Sequence, residues 1–438
     1  MHIFSRWLIR RSDRGPLLYF LLLFVALFTV SSLFYPWRQL YLSHLGLGLS
    51  DTLVFWSIAL WLLIILYFYH LFFRSKVLAT WRPLLVTFTF LCLALSLVWP
   101  LTSSDLYSYV YQARVWSVFG LNPYLHSYSA LTQDYFFFAF NNHWSFRAAP
   151  YGPLFMILTG AWTYISHSSF LGSLLGLKIF LASLNVLVGI MIYRFRFSLF
   201  SFYLYAFNPL VLFEVAINGH NDIMLVFFLV LSLTTALNSK KKPVFWSFLW
   251  LFFSVAVKYL SVVLIPIWII IFWREAVSGR ARCWLIVNIL ISGLVSSIFY
   301  WYFFPDVSNF IGSILNQGSF VNFIKSPLIG WIDTALSLFT FNHLNIAIIV
   351  SRAIFLIFYI YLLVRVWADG TRANLLYYSV LVFTVFLLTC FTWLMPWYLI
   401  TPIALLSLLY HQEKYQRLAA NSIFVLTFYG IITYFVLR

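Results

Sequence analysis

The chain has 438 residues, of which 63% are hydrophobic, 22% aromatic and only 9% charged, against roughly a quarter charged in ordinary soluble domains. This composition excludes a soluble globular protein. The net charge of +16 comes from basic residues spread over short loops rather than gathered in one stripe, which argues against nucleic acid as a partner and for membrane topogenesis.

In chain order, Arg6, Arg10, Arg11 and Arg14 precede an apolar run from Pro16 to Phe34 with no small-residue cleavage site. The run reads as a retained first span with a cytoplasmic N-terminus. About 20 residues cross a bilayer as a helix, and further apolar runs predict spans near 52–73, 83–100, 172–193, 197–214, 222–238, 243–257, 259–273, 283–303, 344–364, 375–391, 397–411 and 418–437, thirteen in all. The expected fold is therefore an all-α polytopic membrane protein. It forms one integral membrane domain, with N-terminal spans in 1–82, a central module in 83–411 and a last span in 412–438.

The apolar segment 151–167 is expected to lie in or near the outer interface as a juxtamembrane helix. Counting it as a span would send Arg194, Arg196 and Lys240 to Lys242 outside, against the positive-inside rule. With that choice the basic loops become cytoplasmic, while Asp51, Asp105, Asp134, Glu214, Asp222, Asp306 and Asp333 face outward. Cys92, Cys283 and Cys390 sit in apolar segments without Cys-x-x-Cys spacing and read as packing residues.

With only eleven carboxylates in the chain, each can be weighed by itself. Asp105 follows Ser103 and Ser104, either of which can cap a helix, and Tyr107, Tyr111 and Arg114 continue at helical spacing until Asn122-Pro123 stops it. A charge favouring the helix N-terminus is the plain alternative for Asp105. Downstream, Asn208-Pro209 leads through Glu214 to Asn218-Gly-His220-Asn221-Asp222 between two apolar spans. Glu214 lies one turn into the apolar run, where an ionisable group is costly unless it is paired or lines a cavity.

Lys258 interrupts the apolar run 244–273 and Arg352 the run 343–364. Cations beside an outward cavity suit a phosphate better than a neutral sugar, because a phosphate accepts charge-assisted hydrogen bonds. Tyr151, Trp397 and Tyr398 suit either stacking on sugar rings or an aromatic belt. The chain has no phosphate-binding Gly-x-x-x-x-Gly-Lys-Ser/Thr loop, no His-Glu-x-x-His helix, no Cys/His array and no Asp-x-Asp pair. Neither an ATP engine nor a metal site is expected, and a metal-bound nucleotide-sugar donor is disfavoured.

Together, Asp105-Leu-Tyr, Gly120-Leu-Asn-Pro-Tyr124, Tyr151-Gly-Pro-Leu154, the stretch Asn208 to Asp222, Val257-Lys-Tyr259 and Pro396-Trp-Tyr398 resemble the glycosyltransferase C superfamily. The resemblance is to its polyprenyl-phosphate-mannose-dependent mannosyltransferases, of the glycosyltransferase 87 and bacterial α-1,6-mannosyltransferase type. It implies a helix bundle with outer juxtamembrane helices and an acidic catalytic residue on the first outer loop of the module, which here is Asp105. It also implies transfer of a hexose, with mannose first and glucose, arabinose or another pentose as alternatives, from a polyprenyl-phosphate sugar to an extracytoplasmic glycan or glycolipid at the cell membrane. No cofactor is expected.

A single base suffices for single displacement with inversion. The roles that follow are Asp105 as base, Lys258, Arg352 and Arg114 on the donor phosphate, and Glu214, Asn218, His220, Asn221 and Asp222 on sugar or acceptor. A secondary transporter or lipid-glycan flippase is the alternative, with the same charges lining a path.

Overall fold

Proline and asparagine set many of the helix boundaries. In the computed structural model, residues 51–75, 80–134, 136, 146–167, 169–238, 243–304, 306 and 325–436 are described. The expected span 16–34, the N-terminal arginines and Lys240 to Lys242 lie outside them. Among the described residues the regular structure is helical: α1 Asp51–Ser75, α2 Trp81–Ser96, α3 Asp105–Ser117, α4 Pro153–Ser166, α5 Phe170–Arg196, α6 Leu199–Ala206, α7 Pro209–Ile217, α8 Asp222–Asn238, α9 Pro243–Val257, α10 Ile265–Glu275, α11 Gly279–Phe303, α12 Pro327–Leu336, α13 His343–Asp369, α14 Leu375–Cys390, α15 Ile400–Leu409 and α16 Gln416–Thr433. The all-α membrane class expected from composition is the class observed.

The count of thirteen spans is not confirmed. Among the described residues five helices are long and apolar enough to cross a membrane, Trp56–Arg74 within α1, α5, α11, α13 and Arg372–Cys390; the bent pair α6 and α7 makes six if counted as one span. Among the described residues most of the other expected spans coincide with shorter helices, such as the 11 residues of α10, against the roughly 20 that a bilayer needs. Breaks inside apolar runs cause this. Asn208 caps α7 by accepting from the amides of Leu210 (3.0 Å) and Val211 (3.3 Å), and Pro209 occupies the first turn, where its missing N–H costs nothing. The run expected to cross as 197–214 therefore bends by 48° between α6 and α7. Segment 151–167 likewise forms the 14-residue α4, started by Gly152 and Pro153.

The chain divides into two compact units. The first comprises residues 1–106, 175–223 and 406–438. Several of its buried polar groups are satisfied by partners within the unit, as an apolar surround favours. Tyr69 and Tyr203 stack at 5.1 Å and donate to the carbonyls of Leu204 (2.8 Å) and Tyr69 (2.9 Å) respectively. Asn208 donates to Thr427 of α16 at 2.7 Å.

The second unit comprises residues 107–174 and 224–405. Here α9 packs against α11, and Ser292 of α11 donates to the Phe245 carbonyl of α9 at 3.0 Å. Trp268 of α10 donates to Ser247 of α9 at 2.9 Å, and Tyr359 of α13 reaches the Val263 carbonyl at 2.7 Å.

Candidate active site

The first unit gathers Asp105, Glu214, Asn218 and His220. The segment Leu212–Ile217 of α7 is a π-helix, closed by the Asn218 amide donating to the Phe213 carbonyl at 3.0 Å. Such segments widen a helix and frequently mark functional positions. Asn218 faces Glu214, donating to its Oε2 at 2.9 Å. It also holds the loop ahead of Asp105: its Oδ1 accepts from the amides of Leu101 (3.1 Å) and Thr102 (3.3 Å), and its Nδ2 reaches Thr102 Oγ1 at 2.8 Å.

Gly219 then turns the chain with φ +75, a conformation that costs other residues about 1–2 kcal/mol. A Cβ there would lie 3.0 Å from Leu106 Cδ1. The turn brings His220 between two carboxylates, with Nδ1 3.6 Å from Asp105 Oδ2 and Nε2 3.2 Å from Glu214 Oε2. The side chains of His220 and Glu214 are fully buried, and that of Asp105 is 18% exposed. Asp105 begins α3, its amide donating to Ser103 Oγ at 3.1 Å, so one of the two expected serines satisfies the first amide of the helix. Asn221 and Asp222 complete the turn and are buried.

Lys178 is absent from the sequence expectations. It is a buried lysine within α5 that donates to the Val98 carbonyl just beyond α2, and its Cγ lies 3.4 Å from where a Gly219 Cβ would stand. A lone lysine in the apolar run 172–193 carries the same signal as Lys258.

The second unit connects four of the motif stretches. Tyr124 donates to the Tyr151 carbonyl at 2.8 Å, and the Ala149 amide to the Pro123 carbonyl at 2.8 Å. The Gly152 amide donates to the Val257 carbonyl at 2.9 Å. Lys258 sits at the break between α9 and the 3-10 turn Tyr259–Leu264, in extended conformation, with Nζ 4.3 Å from the Tyr398 ring centroid. A cation over an aromatic face is attracted by the ring quadrupole. Tyr151 packs edge-on against Tyr109 at 5.0 Å, and Trp397 is buried.

Arg114 takes a different place. Its Nε and Nη2 donate to the two Asp134 oxygens at 2.8 and 2.5 Å, and its Nη1 donates to the His167 carbonyl at 2.6 Å. Tyr128 donates to Asp134 at 2.7 Å. Burial alone would raise the Asp134 carboxyl, but the hydrogen bonds from Arg114 and Tyr128 hold it below the ordinary aspartate value. We assign this buried pair to the architecture of the loop that follows α3. Arg352 lies exposed on α13.

The sequence profile of a family described as alpha-(1->6)-mannopyranosyltransferase, N-terminal domain, matches residues 20–274. That range includes Asp105, the Glu214 to Asp222 stretch and Lys258, and ends before Arg352, Trp397 and Tyr398. No curated protein and no solved structure matches the chain.

Proposed function

This chain belongs to the alpha-(1->6)-mannopyranosyltransferase family, and on that premise we propose that it moves mannose from a polyprenyl-phosphate donor to an extracytoplasmic glycan or glycolipid by inverting single displacement. The observation that carries the reading is Asp105, a partly open carboxylate at a helix start, backed by a buried imidazole and a second carboxylate. In a bundle this apolar such an arrangement is costly without a role.

Each residue type has a task in such a reaction. An acceptor hydroxyl is too weak an acid to attack unaided. A carboxylate within hydrogen-bond reach accepts its proton as the oxygen bonds to the anomeric carbon. The bond from that carbon to the phosphate oxygen breaks, and polyprenyl phosphate leaves with the electron pair. Charge then grows on the phosphate, where a fixed cation stabilises the transition state more than the ground state. Lys258 is the residue for that task, held at a helix break. Tyr151 and Tyr398 offer aromatic surface for a sugar ring.

Incubating the purified protein with mannose, glucose and arabinose carried on short polyprenyl phosphates, together with a synthetic mannoside, tests the reading. Polyprenyl phosphate is expected to be released with the mannose donor and to depend on the mannoside. Release from none of the three donors, with passage of the intact lipid-linked sugar across proteoliposomes, would favour the flippase instead.

A further inference from the structure

A group with no accessible surface acts on a reaction through the neighbour that has some. His220 and Glu214 are fully buried, whereas Asp105 is 18% exposed. We infer that His220 and Glu214 are a positioning pair for Asp105 rather than contacts to sugar or acceptor. This rests on Asp105 being the base.

Both imidazole nitrogens face a carboxylate oxygen, Nδ1 towards Asp105 and Nε2 towards Glu214. A neutral imidazole carries one N–H and serves one of them; the imidazolium serves both. Glu214 is itself fixed by the amide of Asn218, and the same Asn218 side chain holds the backbone of Leu101 and Thr102. Carboxylate, ring and catalytic loop are thus tied to one another. The pair sets the ring's rotation, presents its Nδ1 edge to Asp105, and keeps the Asp105 carboxylate aimed. A buried carboxylate orienting an imidazole is the logic of a hydrolase triad, here with the imidazole supporting a carboxylate.

The other charged groups of this surround belong to separate elements. Asp222 begins α8 and interacts electrostatically with Glu214. Lys178 of α5 approaches the Gly219 turn next to His220.

The test compares His220→Gln, Glu214→Gln and the double variant, assayed with a short-chain polyprenyl-phosphate mannose and a synthetic mannoside across pH. Each single variant is expected to lower kcat about tenfold or more, the low end for partners that orient a reactive group, with KM for the mannoside nearly unchanged. The acid limb of the kcat/KM profile is expected to move up by roughly one pH unit, the order of shift that one nearby charge produces. The double variant is expected to be no worse than the worse single one, as for residues acting as a unit.

A raised mannoside KM with kcat and acid limb intact in the near-isosteric Glu214→Gln would place the pair on substrate and overturn the inference. Additive losses with an unmoved acid limb would overturn it too, reducing both residues to packing. Asp105→Asn separates the two levels. If it keeps normal turnover, the base assignment fails; if it is inactive while the pair's variants leave the acid limb in place, the inference alone fails.

Discussion

At the scale of single residues, the cost of charge in an apolar chain made the candidate site legible. Asp105, Glu214 and His220 stand out because few ionisable groups exist, and the structure brings these three together. Lys178 obeys the same rule and goes unremarked only because its run also reads as an ordinary span. The partner of Arg114 is a different matter: Asp134 lies 20 residues away in an irregular loop, and no periodicity links the two.

That pair yields a prediction about stability. Both side chains are nearly sealed from solvent, at 4% and 2% exposure, so removing one charge leaves the other unpaired at a cost of about 3–5 kcal/mol. Because Asp134 is held below its unfolded value, it binds its proton more weakly folded than unfolded. Its contribution is complete above about pH 4 and is lost as pH falls through the lower folded value. Arg114→Met is expected to lower the unfolding temperature in detergent at neutral pH and to flatten its decline on acidification. An unchanged acid dependence would show that the pair contributes nothing there.

At the scale of elements, helix starts were readable and helix geometry was not. Asn208-Pro209 and Gly152-Pro153 announce a cap and a first turn, and α7 and α4 begin there. The π segment that presents Glu214 has no such signature, since Leu212 to Ile217 would suit an α-helix equally well. Close approach is also silent in a sequence. Gly152 has no room for a side chain: a Cβ would fall 2.1 Å from the Ala256 carbonyl oxygen and 2.9 Å from the Val257 carbonyl carbon. Backbone yields poorly, so Gly152→Ala is expected to push α4 off the end of α9 and displace Lys258. A shift of about 1 Å at a positioned group costs on the order of a hundredfold. Transfer from the polyprenyl-phosphate donor should fall by that order while the helix content seen by circular dichroism stays unchanged. Normal donor kinetics in this variant would detach Lys258 from the phosphate.

At the scale of the whole molecule, composition was enough for the class, and hydropathy was not enough for the number of spans. Apolar runs report where chain avoids water, not whether one straight helix fills the run, and breaks at Pro209 and Lys258 divide runs that look continuous. Membership of the alpha-(1->6)-mannopyranosyltransferase family then gives the buried charges a reaction to serve. The central claim is that Asp105 takes the acceptor's proton. The measurement that reaches it most directly is transfer by purified Asp105→Asn beside the unmodified protein, with donor binding followed in parallel. The amide is nearly isosteric and still suits a helix start, so the fold should persist. The account predicts retained donor binding and a loss of transfer of at least about a hundredfold, the low end of general base catalysis; near-normal turnover by Asp105→Asn would contradict it.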